Sequence, residues 1–181
     1  MHGLWMETLL KAAIPAAIIV LALTLSRLRG FDWRSDLRLL WPSTRVIAMW
    51  LAIWLVWMVA TEIVIYFLGL PEPAPWHPYP LTIILLRILA IGLLGPIAEE
   101  LVFRGMLFYR LEKHMGAAAT IVTISVLWSL LHFQYDWQTI LLICGDGLIL
   151  GLARFRSRST FVPMLMHAIG NMYSIYQSLS G

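Results

Sequence analysis

The sequence predicts an all-α membrane protein, a polytopic bundle of about six transmembrane helices with polar residues inside its spans. Three observations predict it. Of 181 residues, 60% are hydrophobic and only 13% charged, against roughly 25% charged in a soluble domain. So few charges cannot build a solvated surface, and lipid has to be the outer solvent. The apolar residues gather in runs close to the ~20 residues needed to cross a hydrocarbon core. Ionisable residues stand inside those runs, although each costs at least about 2.5–3.5 kcal/mol near the bilayer centre.

The runs are Leu9–Leu25, Val46–Leu70, Leu81–Lys113, Ala117–Phe133, Trp137–Ala153 and Phe161–Leu179. The first has its basic residues, Arg27 and Arg29, after the apolar core and shows no small-x-small cleavage site. It therefore reads as a retained anchor rather than a signal peptide. Five prolines between Pro71 and Pro80 exclude a helix there and mark a loop. Gly95-Pro96 predicts a kink in the third run, because proline removes a backbone donor and clashes with the preceding turn. Residues 1–80, two spans and the Pro-rich loop, precede a motif-bearing core at 81–181, all within one membrane domain. The length leaves no room for a separate soluble catalytic domain.

Orientation follows from Lys and Arg. Arg27, Arg29, Arg34, Arg38 and Arg45 lie in the first connection, Arg110 and Lys113 after the third span, and Arg154, Arg156 and Arg158 after the fifth. These alternate with connections almost free of positive charge. Both termini are accordingly expected outside, with the protein multi-pass in a prokaryotic inner or plasma membrane. The clustered arginines form no solvated basic face, so nucleic acid is not an expected partner. The single Cys144 excludes an internal disulfide. The nine Trp read as interface anchors and packing.

The ionisable residues inside the spans are Glu62, Arg87, Glu99, Glu100, Arg104, His132, Asp146 and His167. Glu100 and Arg104 are four apart on one helix face, in the favoured order for a pair. A buried structural ion pair and a functional pair are both open for them. Glu99 points about 100° away. A second carboxylate beside a paired one is available to take a proton from water. Trp128 lies one turn before His132 and walls one side of it. His167 and Asn171, again four apart, project together, and both can donate to a developing oxyanion. Alternatively Glu99, His132 and His167 form a zinc set, since imidazole and carboxylate are ordinary ligands. Glu62 and Arg87 are expected to pair across the second and third spans. Asp146, between Gly145 and Gly147, either lines the cavity or caps a broken helix. His77 reads as solvated. The span boundaries put Glu99 near mid-membrane, His132 towards the outer side and His167 towards the cytoplasmic side.

The order E-E-x-x-x-R, aromatic-x-x-x-H and H-x-x-x-N resembles the CAAX-processing and bacteriocin-processing (CPBP, or Abi) intramembrane peptidase family. Gly95-Pro96-Ile97-Ala98 before the acidic pair, Phe103-Arg104-Gly105 at its end and Gly147-Leu148-Ile149-Leu150-Gly151 before the last motif carry the resemblance further. It covers roughly residues 81–175. The second motif of that family usually begins with Phe, where this chain has Trp128. The resemblance implies a transmembrane helix bundle whose motif helices surround an intramembrane polar cavity, and a membrane-embedded protease, glutamate-dependent or metal-dependent. In it Glu99 and His132 activate water, His167 and Asn171 stabilise the oxyanion, and Glu100 and Arg104 support the site. The partners implied are the lipid bilayer and a protein or peptide substrate: a prenylated CAAX protein, a peptide precursor or a sorting-signal tail. The cofactor, if there is one, is zinc.

Two other functions compete. A peptide-binding or immunity protein could keep the fold without catalysis, but it would have no need of Glu99, His132, His167 and Asn171 together. A small transporter also uses Glu and His chains, but more often shows pseudo-symmetric halves, which this sequence lacks.

Overall fold

The computed structural model describes residues 2–71, 73–76 and 78–180, so the expectation for His77 lies outside the described residues. Helix α1 (His2–Leu28) and helix α2 (Thr44–Leu68) come first. A long composite helix follows, built from α3 (Leu81–Arg87), a π-helical segment π1 (Ile88–Leu94), α4 (Gly95–Glu100), a second π-helical segment π2 (Leu101–Leu107) and α5 (Phe108–Leu130). Helices α6 (Trp137–Ser157) and α7 (Phe161–Ser180) complete the chain. Among the described residues there is no strand.

Four helical stretches are long and apolar enough to cross a membrane: α1, α2, the composite Leu81–Leu130 and α6. The composite holds 50 residues, about 75 Å at 1.5 Å per residue, more than twice a hydrocarbon core of about 30 Å. It does not run straight through. Gly116 takes φ 73° and ψ 170°, a conformation outside the helix, and breaks α5 there. The break falls between the third and fourth runs read from the sequence. Helix α7 has spanning length, but its polar residues keep it out of the four.

Apolar side chains point outward over much of the surface. Leu55, Val56 and Phe67 on α2 are each more than 60% exposed, which is how a lipid-facing helix presents itself. Inside, Trp50, Trp54, Trp128, Leu150, Ala153, Val162 and Met166 form the main core. Trp76 is buried as well. Several tryptophans are therefore interior packing rather than interface anchors, and Trp128 has a polar role described below.

Small residues set the closest helix approach. A Cβ on Gly147 would meet the Ser125 Cβ at 2.9 Å, and one on Gly151 would meet Ile121 at 3.0 Å. Helices α5 and α6 thus pack backbone to backbone, the usual membrane solution. Helix α6 runs unbroken through Gly145-Asp146-Gly147, so Asp146 caps nothing. Its Oδ1 instead accepts a hydrogen bond from Trp57 Nε1 at 2.6 Å, joining α6 to α2.

The connections sort to two ends. Phe31 meets Tyr109 edge-to-face and lies under Arg110, Thr160 Oγ1 donates to Leu37 O at 2.6 Å, and Ser159 Oγ donates to Leu40 O at 2.6 Å. The three basic connections therefore meet at one end. At the other, Trp76 N–H donates to Ser178 O at 2.7 Å, and Arg87 lies against Trp76 and Tyr79. The expected Glu62–Arg87 pair is absent. Arg87 pairs with Glu7 at 3.1 Å and donates to Thr8, whereas Glu62 accepts from Gln177. Helix α1 packs directly on α3, π1 and α4, which puts Glu7 rather than Glu62 within reach.

Candidate active site

The site begins with a backbone irregularity. In π1 the N–H of Gly95 bonds to Ala90 O, five residues back. The next N–H in that register would bond to Ile91 O, but residue 96 is proline and has none. The freed Ile91 carbonyl accepts from Asn171 Nδ2 of α7 at 2.8 Å. Gly95-Pro96 thus converts the expected kink into an anchoring point for the amide. Because a carbonyl only accepts, the amide nitrogen must face it, and one of its two protons remains free.

Glu99 and Glu100 follow at the end of α4 and face different partners. Glu100 is fully buried. Its Oε1 accepts from Arg104 Nη1 at 2.9 Å and from His167 Nδ1 at 3.0 Å. Arg104, also fully buried, donates through Nη2 to Gly147 O at 3.3 Å and lies over the Trp128 ring at 4.6 Å. Arg154 Nε closes the region by donating to Arg104 O at 2.8 Å. This ion cluster locks π2, α6 and α7 together.

Glu99 belongs elsewhere. Its Oε2 accepts from Trp128 Nε1 at 2.6 Å. With Asn171 it lines a cavity of about 350 Å³, whose other walls are Glu7, Leu10, Lys11, Ile14 and Pro15 of α1, and Ala90, Ile91 and Gly95. The anchor helix α1, whose residues show no motif, therefore forms half of the cavity. The signal available was the pair Glu7 and Lys11, four apart in an otherwise apolar run.

The two histidines flank Trp128. Ring centroids lie 5.1 Å away for His132 and 5.2 Å for His167, both edge-on. One buried indole thus touches both imidazoles and binds Glu99, and the different depths expected for the three residues are closed through its ring. His132 sits in the turn after α5 rather than on the helix, and its Nδ1 bonds to Trp128 O at 3.1 Å. A carbonyl cannot donate, so Nδ1 carries a proton, and Nε2 is the nitrogen left to other partners.

Two expectations change. His167 and Asn171 do not project together: His167 turns to Glu100, and Asn171 turns to Ile91 and the cavity. Asp146 is tied to Trp57 and is not among the cavity-lining residues. Among the described residues no three of His, Cys, Asp and Glu gather as a metal-binding set, so Glu99, His132 and His167 as arranged do not fit one ion.

An all-helical bundle with carboxylates, imidazoles and a carboxamide turned inward defines an integral membrane protein with a buried polar site. The family described as Type II CAAX prenyl endopeptidase Rce1-like matches residues 80–173, just over half of the chain, and the chain belongs to that family. The match runs from the start of α3 to beyond Asn171 and so includes every motif. Membership implies a membrane protease of the CAAX type acting on a protein or peptide. No curated protein and no solved structure matches the chain.

Proposed function

We propose that the chain is an intramembrane endopeptidase in which Glu99 activates water and Asn171 holds the oxyanion. The observation that carries this is the shared cavity: Glu99 and Asn171, far apart in sequence, line the same space, each pinned by one hydrogen bond and each with one polar group left over. A carboxylate that accepts and an amide that donates are the two groups peptide hydrolysis needs.

The steps follow from those atoms. Glu99 Oε1 takes a proton from water, and the hydroxide attacks the scissile carbonyl carbon. The second amide proton of Asn171 Nδ2 binds the oxygen that becomes negative. On collapse the C–N bond breaks, and Glu99 returns the proton to the leaving amine. His132, pinned through Nδ1 and with Nε2 left over, shares in orienting the water. His167, held through Nδ1 by Glu100, orders the buried ion cluster behind the cavity rather than meeting the oxyanion. Glu100 and Arg104 support the fold of the site. Chelation followed by added zinc reads any metal dependence separately.

The substrate is a membrane-associated protein or peptide. The protein is proposed to be multi-pass, with six helical segments crossing. The basic end is cytoplasmic, and the Pro-rich loop and both termini are outside.

The test is purified protein in proteoliposomes with prenylated CAAX and signal-tail peptides, scored by product mass. Glu99→Gln keeps an oxygen for the Trp128 N–H but takes no proton from water. It should fold normally and lose about 10²–10⁴ in turnover. Full cleavage by that variant removes the role of Glu99. Tight binding of substrate without cleavage by the unmodified protein favours the immunity or peptide-binding reading.

A further inference from the structure

We infer that the indole N–H of Trp128 is a positioning group for Glu99, a role beyond walling His132. The inference rests on the reading of Glu99 as the water-activating base. Trp128 can only donate through Nε1, so the 2.6 Å contact is a hydrogen bond from indole to carboxylate Oε2. This length is slightly below the range of about 2.7–2.9 Å usual for a charge-assisted N–H···O bond. Oε2 is occupied by this bond, and Oε1 faces Gly95, where a Cβ would come within 3.9 Å of it. Gly95 lines the cavity. The bond therefore selects which oxygen is presented there.

The donor itself is fixed. Trp128 is 3% exposed. The Arg104 guanidinium covers its face at 4.6 Å, and His132 and His167 meet the ring at 5.1 and 5.2 Å. An indole held on these sides cannot swing away, so a flexible glutamate inherits one orientation. Phe, usual at this position in the resembling family, is smaller than the indole and donates nothing. The chain thus carries a hydrogen bond that its motif does not call for. A base displaced by about 1 Å loses on the order of 10² in rate.

The experiment compares the full-length protein with Trp128→Phe and with benzothienylalanine at position 128, which keeps the bicyclic shape and replaces N–H by sulfur. Turnover and KM are measured on one cleavable peptide in proteoliposomes, beside detergent melting. Both variants should lose about ten- to a hundredfold in kcat with KM unchanged, and the sulfur analogue, which keeps the core volume, should also keep the parent's melting temperature. A purely structural role would leave kcat of the shape-conserving sulfur analogue at the parent's value. If Trp128→Phe fails to fold, the sulfur analogue decides alone. A kcat equal to or above that of the parent overturns the positioning role. Inactivity of Glu99→Gln in the same assay keeps the base reading standing in that event, and full activity of Glu99→Gln removes both.

Discussion

Replacing Arg104 by Met tests whether the ion cluster supports the fold. Met keeps most of the side-chain volume, so the change is chiefly electrostatic. It removes the 2.9 Å pair with Glu100, the 3.3 Å bond to Gly147 O and the cation over Trp128. Glu100 and Arg104 are both fully buried. What remains beside Glu100 is His167 Nδ1 at 3.0 Å, with no permanent positive charge. Stranding one partner of a buried pair costs about 3–5 kcal/mol. At 1.4 kcal/mol per tenfold, that is more than about a hundredfold in the folding equilibrium. The assay is unfolding in detergent micelles followed by Trp fluorescence. Adding Glu100→Gln to Arg104→Met should recover part of the loss, because it removes the stranded charge. An Arg104→Met protein that unfolds like the parent, or a further loss on adding Glu100→Gln, refutes the pairing.

Asn171→Ala should fold, leave substrate binding nearly intact and lower turnover by about 10²–10³; unchanged kcat removes the oxyanion role. His132→Ala should reduce turnover much as Glu99→Gln does, and the double variant should be little worse than either, as for residues that act as a unit; additive losses would separate them. Tags in the Pro71–Pro80 loop and at the C-terminus should report the outer compartment and a tag at Arg154–Arg158 the cytoplasm, and cytoplasmic labelling of the Pro-rich loop overturns that orientation. Asp136, the N-cap of α6, accepts from Thr139 N–H and from its hydroxyl, and these bonds hold its carboxyl below its ordinary value of 3.8. A depressed value means the cap stabilises fully above 3.8 and fades as pH falls through the folded value. Protection of the Trp137–Ile140 amides, taken relative to their intrinsic exchange rates, should therefore fall at acidic pH, and Asp136→Ala should show that lower protection already at neutral pH. Equal exchange in both proteins at pH 7 would deny the cap.

The sequence by itself determined the solvent, the helical class and the membership of the motifs. Apolar runs and a shortage of charge are properties of composition, and lipid allows few ways to satisfy a backbone. The i, i+4 spacing of Glu100 and Arg104 determined their pairing, because a helix repeats every 3.6 residues. Partners on different helices were decided only by packing. Arg87 met Glu7 because α1, not α2, lies against α3. His167 and Asn171 share a helix face in sequence, yet a buried carboxylate draws one and a carbonyl freed by Pro96 draws the other. The link from Trp128 to Glu99 spans 29 residues and the break at Gly116. No local period encodes such a contact. It exists because α5 folds back to set its indole beside α4, and tertiary structure alone decides which side chains meet there.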